Sequence, residues 1–221
     1  MELVSVYMCV GVFLAAYSVI ANDSVQTLGT WIASNSERFK WYNLWISATG
    51  VLLFTLWFGW AVNDGDISYG RLAKIPFQEI QWYHAVAPLV LVALTKLGVP
   101  VSTTFLVLSA FASGVVFEKM LIKSALGYIV SAAVAYVVWL GVSRWLETKT
   151  DIPAGQDRWW RIAQWSTTAW LWFTWLSHDM ANIAVFLPRV VPLEMMLIIS
   201  LVFIVGLCYM FWERGGKIQQ I

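Results

Sequence analysis

The chain has 221 residues, of which 60% are hydrophobic and only 12% charged, with a formal net charge of +1. A soluble domain carries about 25% charged residues, and one core of this size cannot hide so much apolar surface. A soluble enzyme, a disordered chain and a secreted disulfide scaffold are therefore excluded, and an integral membrane protein remains; without a basic run, no nucleic-acid partner is expected.

About 20 apolar residues span a bilayer as a helix. That measure predicts seven crossings, at roughly 3–21, 42–62, 82–98, 101–117, 122–143, 162–177 and 194–212. No basic region precedes the first, which reads as a retained membrane helix rather than a cleaved signal. Polar segments at 63–81 and 146–158 punctuate the rest. Two stretches exceed one simple span: residues 3–34 stay mostly apolar for about 48 Å at helical rise, and 159–192 behave likewise. Each holds a polar island, which predicts broken helices or re-entrant segments.

With seven crossings, one side of the membrane collects nine Lys and Arg residues, among them Arg38, Lys96, Arg144 and Arg214. The other collects five: Arg71, Lys74, Lys119, Lys123 and Arg189. The bias places the N-terminus outside and the C-terminus in the cytoplasm. Ser109, Ala110, Ser113 and Gly114, and again Ser131, Ala132, Ala133 and Ala135, predict close helix packing inside a bundle. Cys9 and Cys208 lie in apolar runs and read as small hydrophobes. His84, beside Trp82 and Tyr83, reads as interfacial. In the Trp-rich run 159–175, Trp159 and Trp160 fit an interfacial belt and the others lipid or bundle packing.

Two carboxylates interrupt the apolar stretches, Asp23 in the first and Asp179 in the second. A carboxylate at membrane depth is normally paired, facing water or holding a cation; the alternative is a helix end with Asp23 or Ser24 as its N-cap. Asn22-Asp23 followed by Gln26 parallels His178-Asp179 followed by Asn182, 156 residues apart. In each, carboxylate and carboxamide are three residues apart and share a helical face. Their oxygens suit a hard monovalent cation. An odd number of crossings separates the two islands, so their helices run in opposite directions, the trace of an inverted repeat with ion and substrate sites near the midplane. His178 beside Asp179 is a candidate proton relay.

A third element is the segment 98–104, Gly-Val-Pro-Val-Ser-Thr-Thr. Gly98 and Pro100 break one helix and Ser102, Thr103 and Thr104 open the next. Three hydroxyls at a helix start form an anion cradle or, equally, cap a broken helix. No His, Cys and carboxylate spacing gives a zinc site, and no nucleophile elbow or phosphate-binding loop is present. An intramembrane aspartyl hydrolase built on Asp23 and Asp179 finds no matching motif around them, and no enzymatic activity is expected.

ANDSVQTLGT (21–30), GVPVSTT (98–104) and SHDMANIAVFLP (177–188) resemble the signature segments of the inorganic phosphate transporter (PiT) family, and ERGGKIQQI (213–221) resembles the segment after its second motif. Members carry a GANDVANA-type motif in each of two inverted halves, each followed by a G-x-P-V-S-T-T-H segment. The resemblance implies symport of inorganic phosphate with sodium ions or protons. It assigns Asn22, Asp23, Asp179 and Asn182 to the cation and phosphate sites and Ser102, Thr103 and Thr104 to phosphate oxygens. Three positions depart from the pattern: Phe105 replaces His, His178 replaces Asn, and Gln26 replaces Asn. Nothing after Ile221 supplies the second Pro-Val-Ser-Thr-Thr segment. The resemblance therefore leaves a longer transporter, a second copy of the chain in a homodimer, or lost transport as the explanations.

The expectation is an all-α polytopic transmembrane bundle with inverted repeats and broken or re-entrant helices. A first repeat covers 1–145, a loop 146–158, and an inverted second repeat begins over 159–221. Its expected function is cation-coupled transport of inorganic phosphate or a similar oxyanion across a plasma or inner membrane. Asn22, Asp23, Gln26, Asp179 and Asn182 would hold sodium or a proton, with Asp23 and Asp179 ligating any metal ion; no other cofactor is called for. The competing expectation is a non-transporting membrane subunit that keeps the scaffold and binds a partner.

Overall fold

A computed structural model describes residues 2–97, 99, 101–147 and 157–214, and its regular elements are all helical. Four helices among these residues are long and apolar enough to cross a membrane, Val6–Asn35, Trp41–Val62, Gly114–Arg144 and Leu193–Glu213. The chain is a multi-pass membrane protein.

Helix α1 (Glu2–Ser18) continues through a π-helical turn, Val19–Asp23, into α2 (Ser24–Asn35). The first polar island thus widens the helix instead of breaking it. Hydroxyls explain why. Ser18 Oγ donates to the Leu14 carbonyl at 2.8 Å, Thr27 Oγ1 to the Asp23 carbonyl at 2.7 Å, and Ser24 Oγ to the Ile20 carbonyl. Polar backbone at membrane depth is satisfied inside the segment, as hydrocarbon surroundings require. Asp23 and Ser24 both have right-handed helical backbone, and no side-chain cap bond forms at either end of the turn. The capping alternative is thereby removed.

Helix α3 (Trp41–Val62) returns across the bundle. The two crossings expected at 82–98 and 101–117 are absent. In their place stand α4 (Val86–Lys96), entered by the 3-10 turn Trp82–Ala85, and α5 (Thr103–Ser109). These are about 16 and 11 Å long, against a hydrocarbon core of about 30 Å. They form an antiparallel hairpin. His84, before α4, stacks on Phe111, after α5, with ring centroids 4.3 Å apart, while the turn between the helices reaches Asn22 and Asp23. Gly98 and Pro100, the expected helix breakers, lie outside the described residues. His84 is 1% exposed, so the interfacial reading fails; the Phe111 ring covers it.

The span expected at 122–143 is the middle of α6 (Gly114–Glu147), which packs mainly on α5. None of its apolar window is buried within the described bundle. Its small residues therefore do not mediate intramolecular packing, and the Ser109–Gly114 cluster spans the corner between α5 and α6. Helix α7 (Asp157–Ala184) carries the crossing expected at 162–177 but is not among the four helices apolar enough to span a membrane. It runs uninterrupted through the second polar island, contrary to the expected break, and the chain turns only at 185–187. Helix α8 (Leu193–Arg214) follows. Indole donors lace α3 to its neighbours: Trp45 Nε1 to the Ile204 carbonyl (3.3 Å), Trp57 Nε1 to Ser200 Oγ (3.1 Å), and Trp60 Nε1 to the Val191 carbonyl (2.7 Å). The pairings descend in one chain as they rise in the other, so α3 and α8 are antiparallel.

The α1–α2 helix and α7 are also antiparallel, and their contacts define three levels. At one end Gly11 lies against the Phe186 ring, which meets Phe111 edge-on at 5.2 Å. At the other, Asn35 Nδ2 donates to Gln164 Oε1 at 3.1 Å and Trp31 meets Trp165 at 5.0 Å. Asp23 falls midway, about 18 Å of helix from each end level, at the depth of a bilayer's centre.

A Cβ on Gly11 would overlap the Phe186 ring, which is 1% exposed and meets Phe111 edge-on. Gly11→Ala is expected to cost about 1–3 kcal/mol by overpacking, read as a lower thermal unfolding midpoint in detergent. Gly50, with nothing within 4 Å of its built Cβ, is the control, because Gly50→Ala should be neutral or slightly stabilising.

Candidate functional site

The π-helical turn brings Asn22 and Asp23 to the interior together, 4% and 2% exposed; such turns recur at functional sites. From α7, Asp179 and Asn182 arrive at 3% and 0% exposure. From the hairpin tip come Thr103 and Thr104. Asn22 Nδ2 donates to Asp23 Oδ1 (2.7 Å), to Thr103 Oγ1 (3.1 Å) and to the Val101 carbonyl (3.1 Å). Thr103 Oγ1 donates to Asp23 Oδ1 at 2.8 Å, and Thr104 Oγ1 to Asp179 Oδ1 at 3.2 Å. Asn182 Nδ2 is shared between Asp179 Oδ1 and Thr104 Oγ1, each at 3.3 Å. One short hairpin thus clamps both motif helices, a threonine to each.

The two carboxyl groups lie close enough to interact directly. Only one oxygen of each is satisfied. Asp23 Oδ2, Asp179 Oδ2 and Asn182 Oδ1 are buried without a hydrogen-bond partner. Three unpartnered oxygens from two neighbouring helices are groups that could hold a hard cation. Two facing carboxylates in a low-dielectric setting need either a cation or a shared proton between them. Burying such atoms unpaired costs more than a hydrogen bond returns.

The residues predicted to form the site do not all play equal parts. Asp179 and Asn182 meet on one face as their spacing required. In the first motif Gln26 does not reach Asp23; its Nε2 donates to Asn22 Oδ1 at 3.2 Å, and Asn22 takes the carboxamide position beside the carboxylate. Ser102 accepts from the Phe105 N–H at 3.3 Å as the N-cap of α5. His178 is exposed, and among the described residues no hydrogen bond joins it to Asp179.

A cavity of about 1520 Å³ opens above the pair. Asp23, Asp179, Ser102, Thr103 and Thr104 line it, together with Arg71, Lys74, Lys119 and Lys123. Two lining residues were not foreseen. Trp175 stands one turn before Asp179 and contacts Asp23; its i, i+4 relation to Asp179 places it on that face, a signal lost in a run of tryptophans. Arg71 lies in the loop turn Arg71–Lys74, where no periodicity marks it. Partial burial pushes its guanidinium below its ordinary value and the Asp179 carboxylate opposes that shift; it stays cationic.

No family model, curated protein or solved structure matches the chain. Function rests on the chemistry of the site.

Proposed function

We propose that the chain is a cation-coupled secondary transporter of inorganic phosphate or a similar oxyanion. The observation that carries this reading is the Asp23–Asp179 pair at mid-depth with three unpartnered oxygens, beneath a cavity bearing hydroxyls and cations. A sodium ion or proton on the pair offsets its negative charge; an oxyanion then approaches the Ser102–Thr104 hydroxyls without facing two bare carboxylates. Cation and anion binding are coupled through that charge balance. Antiparallel α1–α2 and α7 support two inverted halves, whose rocking about the hairpin tip would alternate access.

With α7 counted as a fifth crossing antiparallel to α1–α2, and α4–α5 returning to its own side, Lys96 leaves the loop count and the Lys/Arg bias becomes eight against five. The N-terminus remains outside and the C-terminus cytoplasmic in a plasma or inner membrane, with the cavity opening outward.

Proteoliposome uptake of radiolabelled phosphate under an imposed sodium or proton gradient tests the reading. Gradient-driven accumulation is expected, and its absence from active-site-intact, correctly inserted protein would reject transport. Ser102→Ala separates capping from anion binding. Loss of the cap alone costs about 0.5–2 kcal/mol of stability with KM unchanged; a hydroxyl that also holds phosphate raises KM several-fold.

The exposed α6 favours a second reading, a subunit that acts by binding a partner in the bilayer. Stoichiometric co-purification of another membrane protein, together with silent transport assays, would favour it.

A further inference from the structure

Four cations wall the cavity, and the coupling scheme above does not use them. Arg71 and Lys74 come from the 63–81 loop; Lys119 and Lys123 come from the start of α6, four residues apart on one helical face. Segments far apart in sequence therefore place four positive charges around one concavity. The three lysines make no salt bridge among the described residues, and the only carboxylates in the lining are Asp23 and Asp179. With both ionised, four positive and two negative charges leave the lining at +2; a cation or proton on the pair raises it further.

The loop is held in place. Gly65 and Gly70 adopt φ of 91° and 72°, and the Asp66 carboxylate accepts from the Ser68 N–H at 2.7 Å and the Gly70 N–H at 3.1 Å. Val191 N–H donates to the Gly65 carbonyl at 2.9 Å, and Arg189 Nη2 to the Ile75 carbonyl at 2.7 Å. Tyr69 donates to the Thr55 carbonyl at 2.5 Å. Pinned on both flanks, the loop keeps the Arg71 and Lys74 backbone on the cavity wall opposite the start of α6. A concavity with one sign of charge and low-dielectric walls focuses potential and concentrates counter-ions.

We propose that this cationic wall is an anion-recruitment site. It draws tetrahedral oxyanions from water and favours doubly charged over singly charged species, before the hydroxyls and the cation-loaded carboxylate pair receive them. The role as a transport vestibule rests on the function proposed above, whereas the recruitment itself does not require transport.

Thiol accessibility measures the potential directly. Ser124 lines the same cavity, so Ser124→Cys, with Cys9→Ser and Cys208→Ser, places one reporter in the wall of the full-length protein. Anionic and cationic methanethiosulfonates are compared at low ionic strength in detergent free of anionic lipid. The anionic reagent is expected to react about tenfold faster or more. That preference should fall towards unity on combining Lys74→Gln, Lys119→Gln and Lys123→Gln, and in the unneutralised protein on raising salt to about 1 M, where the Debye length is about 3 Å.

At a fixed pH of about 8 inorganic phosphate, then doubly charged, is expected to protect the thiol, and sulfate to protect it more strongly than singly charged perchlorate. A reagent preference that ignores both neutralisation and salt overturns the proposal. So does protection by phosphatidylglycerol without protection by inorganic phosphate, which would assign the wall to lipid headgroups. A preference that collapses as expected, with phosphate protection but no uptake in proteoliposomes, upholds recruitment and rejects the transport function.

Discussion

Replacing Asp23 or Asp179 by asparagine is expected to abolish gradient-driven phosphate uptake, by about a hundredfold or more, while the protein stays folded. The asparagine preserves shape and keeps an oxygen able to accept from Thr103 or Thr104, so the hairpin clamp survives. What it removes is half of the pair's negative charge. A site built to balance two facing carboxylates with a cation then carries one carboxylate, and loses the charge-assisted interactions worth about 1.5–3 kcal/mol each on both the cation and its coupled anion. The double variant should be scarcely worse than either single one, because the two groups act as a unit and such effects are not additive. The measurement is initial uptake rate against cation concentration in proteoliposomes containing equal amounts of monodisperse protein. Wild-type rates in both single variants would remove the pair from the mechanism. A raised cation requirement with an unchanged maximal rate would leave it a binding role only.

This pair was legible in the sequence because charge is scarce. With so few carboxylates in an apolar chain, Asp23 and Asp179 stood out against their surroundings, and the odd number of crossings expected between them implied helices of opposite direction. The contacts at Gly11–Phe186 and Asn35–Gln164 bear out that opposition. What the sequence hid was the path of the chain between them. Residues 82–98 and 101–117 each hold an apolar run long enough to cross, and run length cannot distinguish a crossing from a hairpin that turns back at mid-depth. Only long-range contacts do so: Phe111 over His84, and Thr103 and Thr104 on carboxylates 80 and 75 residues away.

The same cause misplaced the helix breaks. Polar islands at 22–26 and 178–182 pointed to interruption, yet a helix tolerates polar side chains when other elements satisfy them. Hairpin hydroxyls do so here for both islands, and the first is further accommodated by a π-helical turn. Arg71 illustrates a different blindness. A loop arginine carries no periodicity, and its place over the cavity depends on Asp66, Tyr69 and Arg189 holding the loop. Tyr69 and Arg189 reach partners 14 and 114 residues away, which no local pattern signals.

Thr103→Val and Thr104→Val are expected to give the next largest losses, and unequal ones. Valine matches threonine in shape and withdraws only the hydroxyl. Thr103 is buried, donates to Asp23 Oδ1 at 2.8 Å and accepts from Asn22. Its loss removes one of the two donors to Asp23 Oδ1, leaving Asn22 as the other, at a cost of about 1.5–3 kcal/mol for a hydrogen bond to a charged group, equivalent to roughly ten- to hundredfold in the uptake rate. Thr104 donates to Asp179 at the longer 3.2 Å and sits partly open to the cavity, where water replaces part of the bond, so Thr104→Val should cost less in cation affinity. Half-buried, Thr104 is the more open of the two threonines, so in the proposed scheme its loss should fall on phosphate KM. Thr103→Ser and Thr104→Ser restore the donor and should restore function. Equal losses in both valine variants, unrescued by serine, would mean that the tip acts by packing alone, and the hydroxyls would then have no part in binding. Separate titrations of cation and phosphate distinguish the outcomes, because the hairpin assigns one threonine to each carboxylate and leaves Thr104 the more open of the two.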